Sequence, residues 1–279
     1  MNIDRNTVSV ITGAASGIGR ATAIRLAQAG SALAISDVNA QGLEETAAAA
    51  RAFGIKVTTH LVDVSDKEGM QGFAADVERE HGHVSILLNN AGVAIYGKSE
   101  ELSIEDYEWL MSINFWGVVY GTKFFMPLLK QESQAYILNI SSIFGIIAPI
   151  GQTAYCASKF AVRGFTESLR HELQDTNIRV ATIHPGGIKT NIAASAKLGS
   201  FADKSEFADA PGKFDDVTPT TPEQAAERIV RGILRNNKRI MIGLDSRVLA
   251  LLQKIFPVSY WRIIGPYFEK KLGAKDATK

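Results

Sequence analysis

Apolar positions along this chain follow two rhythms. Short, nearly continuous runs recur at 7–12 (TVSVIT), 32–36 (ALAIS), 56–62 (KVTTHLV), 85–89 (SILLN), 135–140 (AYILNI), 179–184 (RVATIH) and 239–243 (RIMIG). Between them, apolar and polar residues recur with helical period at about 17–29, 40–53, 66–81, 103–130, 153–176 and 222–236. A strand with an unbroken apolar run is buried on both faces, which requires helices above and below a parallel sheet. The pattern predicts an α/β fold: a doubly wound, seven-stranded, mostly parallel sheet with helices on both faces and a C-terminal helical extension. The 279 residues read as a single domain, with a core over about 5–245 and the extension over about 246–279.

Two intervals break the rhythm. Residues 191–218 carry small and charged residues with little periodicity, and a connection of that length in a compact domain is usually a lid or a mobile binding loop. It follows the sixth strand, at the carboxyl edge of the sheet where ligands of such folds bind. The segment 248–268, VLALLQKIFPVSYWRIIGPYF, is apolar but interrupted by Lys254, Arg262 and two prolines, too broken to span a bilayer. Its plain reading is a terminal helix pair packed on its own domain or on a neighbouring subunit. Peripheral membrane contact is the alternative.

Composition narrows the field. Thirty basic and 29 acidic residues leave a net charge of +1, which gives no general attraction to nucleic acid. The lone cysteine, Cys156, cannot form an internal disulfide, and the N-terminus has no apolar stretch of signal-peptide length, so a cytoplasmic location is expected. His81, His83, His171 and His184 lack metal-ligand spacing and His60 sits in a strand interior, so no metal is expected.

The first strand breaks into TGAASGIG, residues 12–19. Gly13 permits a sharp turn, while Gly17 and Gly19 remove side chains where the next helix begins. Backbone can then approach a ligand, and free N–H groups at the helix start suit a pyrophosphate. A P-loop would need Gly-Lys followed by Ser or Thr; Gly19 is followed by Arg20 and Ala21. Gly13, Ser16, Gly17, Ile18 and Gly19 are therefore candidate dinucleotide contacts. Asp37 ends the second strand 20 residues after Gly17, where an acidic group hydrogen-bonds a ribose 2′-OH and repels a 2′-phosphate. Neither Ser16, Val38 nor Asn39 is basic, and Arg20 is expected to point elsewhere, so NAD is preferred over NADP. The alternative for Asp37 is a turn aspartate or helix cap.

With TGAASGIG, the chain carries DV (63–64), NNAG (89–92), Asn114, SS (141–142), YCASK (155–159) and PGGIKT (185–190), in that order. In these motifs, over roughly residues 5–245, it resembles the short-chain dehydrogenase/reductase family. The resemblance implies a Rossmann-type fold and NAD(P)-dependent interconversion of a hydroxyl and a carbonyl. It implies cofactor contacts for Asp63 and Val64 at the adenine, for Asn90, Ala91 and Gly92 beside the fourth strand, and for Pro185, Gly186, Ile188 and Thr190 at the nicotinamide end. It also implies a homotetramer or homodimer built through the 103–130 and 153–176 helices. Gly187, a second glycine after the usual Pro-Gly, is a mild variant.

Tyr155 and Lys159 are four apart on a predicted helix, one turn from each other. On that helix Ala157, Ala161, Phe165, Leu169 and Leu173 form an i, i+4 apolar row that predicts the buried side. A free tyrosine titrates near 10, and bringing it near 7 requires about 4 kcal/mol favouring phenolate. An exposed ion pair supplies only about 0–1 kcal/mol. The pair must therefore be shielded from water, with the oxidised nicotinamide ring adding positive charge. In this reading Tyr155 exchanges the alcohol proton, Lys159 lowers the phenol pKa and bonds the nicotinamide ribose, and Ser142 holds the substrate oxygen. By resemblance, Asn114 holds a water that relays protons from Lys159; otherwise it is a satisfied buried amide. Cys156 is expected to be a buried, inert thiol.

The expected activity is an NAD-dependent alcohol dehydrogenase or ketoreductase. The competing classes are a silent nucleotide sensor on the same fold and a membrane-surface lipid or steroid dehydrogenase using the 248–268 tail. Residues after Gly92 (VAIYGK) and after Ser142 (IFGIIAPIGQ) are mostly apolar, which points to a hydrophobic secondary alcohol or ketone as the small-molecule substrate.

Overall fold

A computed structural model describes residues 2–203 and 220–272. The β-branched runs form β1 (Val8–Thr12), β2 (Ala32–Asp37), β3 (Val57–Leu61), β4 (Ile86–Asn89), β6 (Ala135–Ile140), β7 (Ile178–Pro185) and β9 (Arg239–Ile242). Among the described residues these make one seven-stranded sheet, ordered β3-β2-β1-β4-β6-β7-β9. Every neighbouring pair is parallel, from Ile11 beside Ile35 to Ile183 beside Ile240. The sheet is thus wholly parallel, where the sequence pattern had allowed an antiparallel edge. The direction of winding reverses between β1 and β4, which opens a crevice at their carboxyl ends.

The helices between these strands are α1 (Gly17–Gln28), α2 (Ala40–Arg51), α3 (Lys67–His81), α4 (Ile104–Met111), α5 (Gly117–Gln131), α6 (Thr153–Glu172) and α7 (Pro222–Leu234). Successive strand residues point to opposite faces, so one strand feeds two cores. Ile11, Leu88, Leu138 and Ile183 pack with α1, α2 and α7 through Leu26, Leu43 and Ile229. Val10, Leu87, Ile137 and Val180 pack on the other face with α3 and α5 through Phe73 and Phe125.

Three features depart from the sequence pattern. The helix expected over 103–130 is two helices, α4 and α5, joined by a π-helical turn at Ser112–Trp116 in which the Gly117 N–H reaches the Ser112 carbonyl. A short parallel ribbon pairs β5 (Ile95–Tyr96) with β8 (Lys197–Leu198) outside the main sheet. It anchors the first part of the 191–218 segment; the stretch from 204 to 218 lies outside the described residues.

The third departure corrects the buried side of α6. Leu169 and Leu173 of the predicted row are buried, but Ala157 is exposed and Ala161 and Phe165 are half-buried, while Ala154, Cys156, Ser158, Lys159, Val162 and Thr166 also face inward. The buried polar groups on that face have partners. Thr166 Oγ1 donates to the Val162 carbonyl and accepts from Asn139 Nδ2, and Ser158 Oγ donates to the Tyr155 carbonyl. A bonded hydroxyl is cheap to bury, so counting apolar residues alone missed the polar part of the buried face at Ser158 and Thr166.

The C-terminal extension forms the expected helix pair, α8 (Leu244–Ile255) and α9 (Tyr260–Leu272). Leu249, Leu252, Trp261 and Ile264 pack with Ile143, Phe144, Ile147 and Cys156 in a separate apolar cluster beside Tyr155. Tyr260 Oη accepts the Ala148 N–H at 2.9 Å, pinning the pair to the segment after β6. No helix among the described residues is long and apolar enough to cross a membrane.

Candidate active site

The crevice over β1 and β4 is a cleft of about 830 Å³. One end is lined by Gly13, Ser16, Gly17, Ile18, Asp37, Asp63 and Val64, and its middle by Asn90, Ala91 and Gly92. Ser142, Tyr155, Lys159, Pro185, Gly186, Ile188 and Thr190 line the far half.

The glycine turn is dictated by crowding. At Gly13, with φ of +67°, a Cβ would lie 2.7 Å from Ala91 Cα. A Cβ on Gly19 would lie 2.5 Å from Asn90 Nδ2 and closer still to the Gly13 carbonyl oxygen. Gly19 therefore packs α1 against the turn and does not line the cleft. Asn90 spends its amide holding this turn, donating to the Thr12 and Gly13 carbonyls at 2.9 Å each. The Ser16 side chain makes no capping bond to α1, so the first N–H groups of the helix open on the cleft. Bare backbone beside an uncapped helix start fits a dinucleotide pyrophosphate.

Asp37 lines the same end, and its carboxylate accepts the Ala15 N–H at 2.9 Å and the Asn39 N–H at 3.0 Å. These are turn contacts; Asn39, not Asp37, caps α2 by accepting the Gly42 N–H. Arg20 points away from the cleft, to Glu45 at 2.8 Å and to Thr46 and the Gly42 carbonyl. Asp63 Oδ1 is engaged by the N–H and hydroxyl of Ser65.

Tyr155 and Lys159 meet in the far half. The Lys159 ammonium lies 5.6 Å from the Tyr155 ring centroid and donates to the Ile140 carbonyl at 3.1 Å. Burial pushes the Lys159 pKa down to about 8. Burial raises the Tyr155 phenol, and a hydrogen bond with Ser142 opposes that rise. The side chains alone thus keep the phenol protonated at neutral pH, and the lysine does not by itself bring the lowering expected of it. Desolvation by burial is the leading cause of both shifts.

Asn114 sits in the π turn, fully buried and outside the cleft lining. Its Oδ1 accepts the Val93 N–H at 2.8 Å and its Nδ2 donates to the Val93 carbonyl and to Ser158 Oγ. A Cβ on Gly92 would lie 3.1 Å from Asn114 Oδ1 and 3.3 Å from Lys159 Nζ, so this glycine lets the two groups approach.

Three contributors escaped the sequence reading. His184 Nδ1 donates to the Ser142 carbonyl at 2.9 Å, and burial drives its pKa down to about 4, so it is a neutral strut behind Ser142. Asp245, in the first turn of α8, accepts the Gly187 N–H through Oδ2 at 2.6 Å, while its buried Oδ1 lacks a partner. A Cβ on Gly186 would overlap that carboxylate, which gives the Pro-Gly-Gly sequence a local reason. Tyr96 lies near the Tyr155 phenol and raises its pKa slightly further; burial pushes its own up to about 12. In sequence, the glycine doublet sits beside the Asp245 contact and Tyr96 falls within the VAIYGK stretch, but nothing marked the role of His184.

The short chain dehydrogenase family model matches residues 7–199. The chain belongs to that family. SadH of Mycobacterium tuberculosis is 41% identical over 260 residues, 92% of this chain and 93% of that protein. Human estradiol 17-beta-dehydrogenase 11 is 33% identical over 263 residues, 92% of this chain and 81% of its own length. Among solved structures, a short chain dehydrogenase/reductase from Burkholderia phymatum in complex with NAD superimposes with a TM-score of 0.83 at 28% identity, covering 91% of this chain and 94% of that one. This short-chain dehydrogenase is thus an oxidoreductase by family, with a parallel sheet of the Rossmann kind and NAD-bound structural neighbours.

Proposed function

We propose that this short-chain dehydrogenase interconverts hydrophobic secondary alcohols and ketones with NAD as the preferred cofactor. The observation that carries this reading is the convergence of Ser142, Tyr155 and Lys159 on one cleft whose other end is a bare glycine turn facing Asp37.

NAD held along Gly13, Gly17, Asp37, Gly92 and Ile188 would supply the hydride acceptor for alcohol oxidation and the hydride donor for the reverse. The chain's own residues handle the proton and the charge. Ser142 donates its hydroxyl to the substrate oxygen, with its carbonyl held back by His184 and its Oγ accepting the Phe144 N–H. Tyr155 takes the hydroxyl proton during oxidation and gives it back during reduction. Lys159 supplies a fixed positive charge in a water-poor site, where charges act more strongly than in bulk solvent. Burial holds the phenol above its ordinary value and the Ser142 hydrogen bond opposes that rise; an oxidised nicotinamide would supply further positive charge beside it. In this reading Asn114 fixes the Val93 backbone and holds a water that relays protons between Lys159 and solvent.

Two features support the finer choices. Asp37 would accept a ribose 2′-OH and repel a 2′-phosphate, and Arg20 is engaged with Glu45. Ala94, Trp109, Ile143, Phe144, Ile192 and Leu249 line the far half, a wall suited to an apolar substrate, in keeping with a relative named for estradiol.

Titrating the protein with NADH and with NADPH, read by cofactor fluorescence, tests the cofactor reading alongside turnover of a secondary-alcohol panel. Tighter NADH binding and turnover of apolar alcohols are expected. Binding without turnover across the panel would replace the enzyme by a nucleotide sensor.

A further inference from the structure

The α8–α9 pair is apolar on two sides, and among the described residues the fold covers one of them. Leu249, Ala250 and Leu252 face inward onto the cluster with Ile143 and Cys156. On the outward side, Leu244, Val248, Leu251 and Ile255 recur at spacings of four, three and four, a single helical stripe. All four are between 55% and 74% exposed. Val258, in the turn between the helices, is 91% exposed, and Ile263 continues the patch onto α9. A monomeric surface seldom shows a contiguous apolar patch of this kind without a use for it.

Charge selects among occupants. Arg247 and Lys254 are exposed on the same outward side of α8, and Arg262 is exposed on α9. From 246 to 268 the sequence holds no acidic residue, and residues 246–279 carry seven basic and two acidic residues in a chain whose net charge is +1. A second copy docking through this face about a two-fold axis would bring like charges together. An anionic lipid surface would meet both the stripe and its basic flank. The patch also runs into the cleft: Val248 and Ile263 belong to the exposed stripe and line the cavity.

We infer that the outward face of α8 and the following turn docks on an anionic lipid layer, holding the mouth of the cleft against it so that apolar substrate enters without crossing water. The entry route rests on the proposed alcohol and ketone chemistry; the docking does not.

The test is flotation of the full chain with vesicles of phosphatidylcholine mixed with phosphatidylglycerol, and of phosphatidylcholine alone. The wild-type protein is expected to float with the mixed vesicles, less with the neutral ones, and less as salt is raised. Leu251→Glu combined with Ile255→Glu touches neither the cleft nor the inner cluster, and is expected to cut binding by at least about tenfold. Unchanged NADH titration by that variant shows that it is folded. Failure of the wild-type chain to float with mixed vesicles, or equal flotation of the double variant, overturns the inference. So does sedimentation in which the double variant dissociates an oligomer while vesicles capture neither protein, which would assign the stripe to a second copy. If flotation holds while every alcohol is left unturned, the catalytic proposal fails and the docking stands.

Discussion

Tyr155 has two chemical duties that its neighbours divide. The Ser142 hydroxyl works against the burial that raises the phenol pKa, and Lys159 holds charge below the ring. Replacing Tyr155 by Phe removes the proton carrier and keeps the ring packing on Phe144. Turnover is expected to fall about 10²–10⁴-fold, the usual yield of positioned proton transfer, with NADH affinity little changed. Near-wild-type turnover would remove the tyrosine from the mechanism. Lys159 yields a prediction about stability. Its folded value of about 8 lies below its ordinary 10.5, so between those limits the unfolded chain binds more protons than the folded one. Stability therefore rises with pH through that window, and the cost of burying the ammonium is complete below it. Lys159→Met is expected to stabilise the protein at pH 7 by up to about 3 kcal/mol in urea titration, and to flatten that pH slope, while turnover collapses. A less stable variant would mean that the Ile140 hydrogen bond outweighs the desolvation.

At the scale of elements, the seven strands were legible because both faces of a parallel sheet are apolar, and their runs stand out against amphipathic helices. The glycine turn and the Tyr155–Lys159 pair were legible because their spacings are local, set by one turn or one helix. What the pattern missed depends on distant partners. The π turn at Ser112–Trp116 keeps helical periodicity on either side, so nothing in the string 103–130 marks the break that presents Asn114 to Val93. The polar part of the buried side of α6 went unread because its hydroxyls find bonds on β6 and α4–α5 neighbours, and β5 pairs with β8 across some hundred residues. Asp245 is of the same kind, an aspartate in the first turn of α8 that works by holding the loop after β7. Asp245→Ala frees the Gly187 N–H and lets the Pro185–Gly186–Gly187 backbone move. NADH affinity is expected to weaken severalfold, about 1 kcal/mol for one lost charge-assisted bond, with the far-UV circular dichroism unchanged. Unaltered affinity would confine this contact to the stability of α8.

Across the whole molecule, the described C-terminal helices join the sheet's far edge to the mouth of the cleft, and Cys156 records whether they are seated. The thiol lies under Ile264 and the inner face of α8, next in sequence to Tyr155, and burial pushes its pKa up to about 12. Relative to its ordinary value of 9.0, that leaves about a thousandfold less thiolate at neutral pH. Since only thiolate reacts, alkylation should be slow in the native protein and should proceed mainly through opening of the helix pair. Tyr260→Phe removes the hydroxyl that accepts the Ala148 N–H and leaves the ring in place. It costs one hydrogen bond, roughly 0.5–1.5 kcal/mol, and so is expected to raise the open population and the alkylation rate by about three- to tenfold. Global unfolding by urea should move far less if the helix pair opens on its own. Mass spectrometry of alkylated Cys156 over time measures that rate directly. Labelling of the wild-type protein at the speed of a free thiol would mean that the helices do not cover Cys156 in solution. Acceleration matched by an equal loss of global stability would mean that the pair opens only with the rest of the fold, and that its closure over the cleft is not a separate step.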